Sequence, residues 1–377
     1  MRIGFDGKRA VQNFTGLGNY SRYVADILCH FYPENDYVLY APKKRENKRM
    51  NLLTGQYRQL TLAYPATSFW KKLSSLWRVW GITSQLEKEG IELFHGLSNE
   101  LPLNIHKSRI KSIVTIHDLI FLRYPQYYQS IDRKIYTYKF RKACENADKI
   151  IAISECTKRD IIRYFNIPDD KIEVVYQGCD VSFTHPVTEE KKKEVRKKYQ
   201  LPDHYILNVG SIEERKNILA AVQALPMLPQ HIHIVIVGRR TGYTEKVEQF
   251  IKDNGLGERV HIISNVPFND LPAFYQLAEI FVYPSRFEGF GIPIIEALYS
   301  GTPVVAATGS CLEEAGGPDS IYVNPDDITG LADAFKQIYS NSDKRKNMVE
   351  KGREFAKRFS EKQQSEEIIN IYKKLIR

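Results

Sequence analysis

Short apolar runs alternate with amphipathic stretches along this chain, and the whole alternation runs twice. In the first half, strand-like runs fall at Arg2–Phe5, Tyr37–Tyr40, Gln59–Leu62, Leu93–His95, Ser112–Ile116, Lys149–Ile153 and Glu173–Val175. Helical patterns lie between them at Gly18–Phe31, Phe69–Glu89, Asp132–Asn146 and Ser154–Phe165, the last with Ser154 placed to cap it. Such alternation points to a parallel sheet with helices on both faces, because parallel neighbours need a crossover connection. The periodicity stops from Tyr176 to Pro186, where Gln177-Gly178-Cys179-Asp180 reads as a crossing between domains. It restarts with Tyr205–Gly210 and continues through Ile232–Val237, Arg259–Ile262, Ile280–Tyr283, Val304–Ala307 and Ile321–Val323. The expectation is therefore α/β, with two Rossmann-like doubly wound domains, residues 1–183 and 184–359. A terminal helix, 360–377, is expected to cross back onto the first domain. A chain of 377 residues is long enough for two such cores.

Composition narrows the class. No run of about twenty apolar residues offers a membrane span, and the first residues, Met1 to Asp6, read as a strand and not as a signal peptide. Five scattered cysteines without metal-ligand spacing suggest a reduced, cytoplasmic protein. The formal charge of +9 raises nucleic acid as a partner, but no nucleic-acid-binding signature accompanies it. An anionic substrate or anionic lipid fits the separate basic clusters better. No Asp-x-Asp pair stands at a strand end; Asp169-Asp170 and Asp326-Asp327 follow prolines and read as helix caps, so no metal site is expected.

The most informative stretch runs from Tyr283 to Leu298. A buried strand leads through Glu288, Gly289, Phe290 and Gly291 into a helix expected to hold both Pro293 and Glu296 in its first turn. The glycines allow backbone N–H groups to approach a ligand, and the helix start favours an anion. Carboxylates on both sides suit a phosphate flanked by hydroxyl-rich groups, as in a nucleotide sugar. Earlier, His117 and Asp118 end the strand Ser112–Ile116, where ligands bind in open parallel sheets; Asp118 can also serve as a turn cap. Gly210 ends the first strand of the second half, and Ser211 to Asn217 follow with Arg215 and Lys216. Gly16 and Gly18 stand at a helix start, without the third glycine of a dinucleotide fingerprint.

Glu288 and Glu296, separated by seven residues, resemble the Glu-x7-Glu motif of retaining family 4 glycosyltransferases of the GT-B fold. Val114 to Leu119 resembles the segment that sets a histidine beside the donor sugar in mannosyl- and related transferases of that family. The Gly210…Arg215-Lys216-Asn217 turn resembles its diphosphate clamp, although Ser211 stands where many members have arginine. The resemblance implies two domains facing a central cleft. It implies transfer of a hexose from a nucleotide diphosphate sugar to a hydroxyl of a glycan or lipid-linked acceptor, with retention at the anomeric carbon and without a metal. The implied catalytic residues are His117, Glu288, Lys216 and Arg215. Ser211, Val266, Gly289, Phe290, Gly291 and Glu296 would bind the donor, and Gly16 and Gly18 would form the acceptor and phosphate loop. GDP-mannose is the leading donor, and no further cofactor is implied.

Two rival readings share the fold. A nucleotide-sugar 2-epimerase would carry more acidic and histidine residues in the cleft and would act without acceptor. A non-catalytic nucleotide-sugar-binding subunit would not need Glu288, Glu296, Lys216 and His117 together. A last feature stays open between two readings. Phe69 to Trp80 holds all three tryptophans, with apolar residues at 69, 73, 76, 77 and 80 in helical spacing. The stripe is either core or a membrane-facing helix, which would make the protein peripheral at the inner face of a membrane.

Overall fold

The computed structural model describes residues 1–13 and 15–376; Phe14, and Arg377 at the end of the expected 360–377 helix, lie outside the described residues. The chain divides into two compact units, Met1–Gln177 with Glu361–Arg377, and Gly178–Ser360. The first unit ends before the expected 183. Residues 181–184 belong to the second, where Phe183 is fully buried edge-on against Tyr275 and Phe268.

In the first unit seven strands form one sheet: β1 (Arg2–Asp6), β2 (Asp36–Tyr40), β3 (Leu60–Ala63), β4 (Leu93–Gly96), β5 (Lys111–Ile116), β6 (Lys149–Ala152) and β7 (Ile172–Val174). Their spatial order is β3-β2-β1-β4-β5-β6-β7, every pair parallel. This is the doubly wound order, whose direction reverses between β1 and β4. Two apolar clusters cover its faces, one around Ile3, Phe5 and Leu39, the other around Val38, Phe94, Trp77 and Val114. In the second unit β8 (Tyr205–Val209), β9 (His233–Val237), β10 (Val260–Ile263), β11 (Ile280–Tyr283), β12 (Val304–Ala307) and β13 (Ile321–Val323) take the order β10-β9-β8-β11-β12-β13, again all parallel. Strands covered on both faces read as unbroken apolar runs, and all four residues of β11 are buried.

The helix Glu361–Ile376 returns to the first unit. Ile368, Ile369, Ile371 and Tyr372 complete its core. The Tyr372 hydroxyl lies 2.6 Å from His95 Nδ1, His95 Nε2 lies 2.8 Å from the Thr115 hydroxyl, and that hydroxyl meets Tyr20 at 3.2 Å. A fully buried imidazole is tolerated because both its nitrogens are bonded.

The tryptophan segment corrects the expectation of one helix from Phe69 to Glu89. It is broken into Ser68–Lys72, Ser74–Leu76, a π-helical turn Trp77–Gly81, and Ile82–Lys88. Gly81 permits this, since a Cβ there would lie 2.6 Å from the Trp70 ring. The wider turn sends Trp77 into the core at 0% exposure and leaves Phe69, Leu76 and Trp80 at 61%, 51% and 49%. The stripe is thus partly core and partly exposed. Arg78, on the same turn, is gripped by Asp6 and Glu100, each at 2.5 Å.

Burial pushes His95 down to about 3 and His117 down to about 4. Both pKa values lie below the unfolded value near 6.5, so the unfolded chain takes up protons first as pH falls. Their contribution is complete above pH 6.5 and is lost on the way down towards 4. All three tryptophans lie in the first unit, so tryptophan fluorescence follows that unit alone. Its melting temperature should hold above pH 7 and drop between pH 6.5 and 4.5; a flat profile over that interval would refute this account.

Candidate active site

The charged cluster of the second unit is built by two turns at the carboxyl ends of adjacent strands. After β8, Gly210 takes a φ of +152°, and its carbonyl lies where a Cβ on Gly238 would stand, at 1.7 Å. Only glycine fits at 238. The chain then makes a short 3₁₀ turn, Glu214–Lys216, and ends it with Asn217 in the left-handed region at φ +56°. Asn217 is buried, and its side-chain amide donates to the carbonyls of Pro325 at 2.8 Å and Pro284 at 3.3 Å. The Arg286 N–H donates to the Arg215 carbonyl at 2.9 Å, tying the second turn to the first.

Between the turns sits Glu288. Its Oε2 lies 2.8 Å from Arg215 Nη1 and its Oε1 3.2 Å from Lys216 Nζ. Ser285 and Tyr283 donate hydroxyl hydrogen bonds to Oε1 at 2.8 and 3.1 Å. Burial opposes the negative charge, but Lys216 and Arg215 outweigh it and hold the carboxyl down at about 2. In return Glu288 and Tyr283 keep Lys216 above the ordinary lysine range despite its burial. Arg215 also donates to the Phe287 carbonyl. Ser211 donates to Glu213 at 2.6 Å, and Glu213 lies 3.7 Å from Arg215, so Ser211 joins the cluster at one remove.

The helix Ile292–Ser300 has Gly291 as its cap and Pro293 in second place. Glu296 is therefore its fifth residue and lies beyond the first turn, which corrects the expected placement. Its Oε2 accepts from the Tyr275 hydroxyl at 2.6 Å. Burial, together with Asp180, raises its pKa to about 7 against the pull of that hydrogen bond. Gly291 has a packing reason as well, since a Cβ there would lie 2.9 Å from that of Ala315. Cys311, fully buried, brings its Sγ within 3.1 Å of the Glu288 carbonyl and 3.0 Å of that of Phe290, which pins the loop from behind. Gly289 and Phe290 are buried within that loop. Val266 is half-buried in the loop after β10, where the Ser264 hydroxyl donates to the Gly238 carbonyl at 2.8 Å.

In the first unit, His117 directly follows β5 and has 6% exposure. The Leu97 carbonyl, 2.9 Å away, takes the proton on Nε2, and Nδ1 faces the Gln177 amide at 3.2 Å. The Tyr20 ring stands edge-on to the imidazole at 4.6 Å between centroids. Tyr20 lies on the helix Gly16–Phe31, so the glycine turn and His117 share one neighbourhood. Gly18 is required by packing, since a Cβ would meet the Asn13 carbonyl at 1.9 Å; Gly16 is exposed and open. Asp326 pairs with Arg286, Asp169 pairs with Lys158, and Asp327 caps the helix Ile328–Ser340. Among the described residues no three His, Cys, Asp or Glu side chains gather as a metal site.

Sequence reasoning missed Tyr283, Ser285 and Tyr275. Tyr283 is the last residue of β11, and the last residue of a strand in an open parallel sheet is where ligand-facing groups stand.

A glycosyltransferase from Rickettsia africae ESF-5 superposes with a TM-score of 0.79 at 20% identity, over 100% of this chain and 98% of that one. The Anabaena protein HepE, solved with UDP and glucose, gives 0.77 at 17% identity over the whole of both chains. These define the fold as that of the GT-B glycosyltransferases. The family model described as "Glycosyltransferase Family 4" matches residues 21–183, and that described as "Glycosyl transferases group 1" matches 188–355. O-antigen chain mannosyltransferase B of Escherichia coli is 31% identical over 75% of this chain and 74% of its own length. O-antigen chain mannosyltransferase RfbU of Salmonella typhimurium is 30% identical over 60% of each. The chain belongs to glycosyltransferase family 4.

Without Glu288, Arg215 and Lys216 keep partly buried positive charge and lose their counter-ion. Glu288→Gln should lower the melting temperature of the ligand-free protein. Millimolar inorganic pyrophosphate should raise that temperature more in the variant than in the wild type. An equal rise in both would mean that Glu288 and the anion do not share these cations.

Proposed function

We propose that this glycosyltransferase moves mannose, with retention, from GDP-mannose to a hydroxyl of a glycan or lipid-linked saccharide in cell-surface polysaccharide synthesis. The observation that carries the reading is the convergence of Arg215 and Lys216 on Glu288 at the strand ends. The donor sugar is argued from relatives named as O-antigen mannosyltransferases. In the reaction the bond from the anomeric carbon to the diphosphate oxygen breaks, and the acceptor oxygen bonds to the same face of that carbon. The acceptor proton passes to the leaving phosphate. Arg215 and Lys216 offset the charge growing on that phosphate, which is the role a metal would otherwise fill. Glu288 faces the sugar ring and stabilises positive charge developing there. Glu296 holds the ribose hydroxyls. Ser211 and Val266 line the nucleotide side, and Gly289, Phe290 and Gly291 form the loop against the diphosphate. His117 is neutral with its ring fixed, so its part is to hydrogen-bond or pack beside the donor sugar and not to take a proton. Gly16, with Gly18 behind it, forms the acceptor and phosphate loop.

Glu296→Gln should weaken GDP binding by roughly ten- to a hundredfold, the worth of hydrogen bonds to a charged group. Glu288→Gln should keep or tighten GDP binding while turnover falls by roughly 10²–10³. Activity should persist in EDTA. Equal loss of GDP affinity in both variants would show the two glutamates misassigned. EDTA inactivation reversed by magnesium or manganese would end the metal-free reading.

We further propose peripheral contact with the inner face of a membrane. Exposed Phe69, Leu76 and Trp80 are joined in the first unit by Ile131, 69% exposed, and by Ile135 and Tyr138 on the helix Ser130–Asn146. Val79, Leu101, Leu103, Ile135 and Tyr138 line a groove of about 340 Å³ between the two segments, with Lys134, Lys139 and Glu100, the last also held by Arg78, beside them. Apolar tips with lysines beside them suit an anionic bilayer. No helix among the described residues is long and apolar enough to cross one. The protein should sediment with anionic vesicles in low salt and be released by high salt. A Leu76→Glu, Trp80→Glu pair should abolish sedimentation and preserve the fold, whereas Trp77→Glu should unfold the first unit. Sedimentation unchanged in the pair would remove this surface from consideration.

A further inference from the structure

Glu296 receives its hydrogen bond from a residue that nothing in the motif points to. Tyr275 is fully buried on the helix Leu271–Leu277, 21 positions earlier in the chain. Its ring is wedged between Phe183, edge-on at 5.5 Å, and Phe281 at 5.2 Å. Its own carbonyl accepts from the Thr302 hydroxyl at 2.6 Å. The tyrosine is therefore held at both ends, and its hydroxyl has one direction to point. Among the described residues it is the one hydrogen-bond donor to the Glu296 carboxylate, whose second oxygen is left to accept from a ligand.

We propose that Tyr275 is a positioning residue for nucleotide recognition: by donating to Glu296 Oε2, it aims the other oxygen at the ribose hydroxyls. This rests on the assignment of Glu296 to the ribose. Of the titratable groups on the elements packed around Glu296, Tyr275 and Asp180 are the two that act on it, Asp180 raising its pKa and Tyr275 lowering it. The tyrosine is itself pushed well above its ordinary value, so it remains a donor throughout the working range. Nucleotide affinity should then rise with pH as Glu296 ionises near 7. Loss of the Tyr275 hydroxyl should move that midpoint upwards.

The test is calorimetry of GDP and UDP, each with its 2′-deoxy form, across pH 5.5 to 8.5. The wild type, Tyr275→Phe and Glu296→Gln are compared. The terminal phosphate titrates in the same way in all three and cancels in the comparison. Tyr275→Phe should bind the better ribonucleotide about tenfold more weakly at pH 7, the worth of one hydrogen bond to a charged group. Its penalty for the 2′-deoxy form should shrink, its midpoint should rise, and Glu296→Gln should show no midpoint from this group. Replacing Tyr275 by 3-fluorotyrosine, of nearly the same shape but more acidic, should move the midpoint down. That variant decides the matter if Tyr275→Phe folds poorly. An unchanged midpoint and an unchanged 2′-deoxy penalty in both Tyr275 variants would reduce the residue to packing and overturn the proposal. Binding that ignores the 2′-hydroxyl even in the wild type would overturn the ribose assignment with it and leave a nucleotide site. Binding of neither nucleotide would overturn the proposed donor itself.

Discussion

A carboxylate between two cations, Glu288 with Arg215 and Lys216, sets the terms for the second unit. Any one of these charges drawn from water alone is costly, and the group is stable only as a set. Losing one member of a fully buried pair costs roughly 3–5 kcal/mol. Here the cost is smaller, because water still reaches 13–17% of these side chains. The geometry is demanding all the same. It needs Gly210 at positive φ, no side chain at 238, a left-handed Asn217 and two hydroxyls at Tyr283 and Ser285. The unusual backbone of the 210–217 turn follows from holding two like charges against one carboxylate. The two cations are held in place in advance, so under the proposed function a diphosphate would exchange partners with Glu288 instead of ordering loose side chains.

The first unit solves a similar problem with different parts. Asp6, at the end of β1, is buried at the switch point of the sheet and is chelated by the Arg78 guanidinium. Burial works against the Asp6 charge, and Arg78 more than offsets it. Glu100 takes the remaining face of the same guanidinium. The π-turn at Trp77–Gly81 thus does two things at once, seating an indole in the core and a guanidinium on Asp6. The exposed apolar residues around them are what the same turn leaves outside.

The doubly wound architecture was legible because strands buried on both faces have to be continuous apolar runs. Runs such as Ile280–Tyr283 and Val304–Ala307 reappear unchanged as β11 and β12. The pairing of Arg215 and Lys216 with Glu288 was legible only as a resemblance, since spacing along the chain cannot bring residue 216 to residue 288. The π-turn was hidden because its trigger, Gly81 beneath the Trp70 ring, is a contact and not a pattern. Tyr275 was hidden for the opposite reason: on a short apolar helix it looked like any core aromatic, and its hydroxyl is what distinguishes it. The unit boundary at 177 was misjudged because Phe183 follows a loop-like stretch, yet anchors in the second core.

The hydrogen bond between Tyr372 and His95 has a consequence for how the chain is made. The first unit is interrupted in sequence by the whole of the second, and its core stays open until the helix Glu361–Ile376 arrives. At ribosomal speeds of ~5–20 residues per second, the stretch between Gln177 and Tyr372 takes roughly 10–40 s to synthesise. Throughout that time His95 lacks its buried partner and the sheet lacks part of its cover. The second unit, continuous from Gly178 to Ser360, emerges complete first. The half of the protein that starts the chain is therefore the half that finishes folding last.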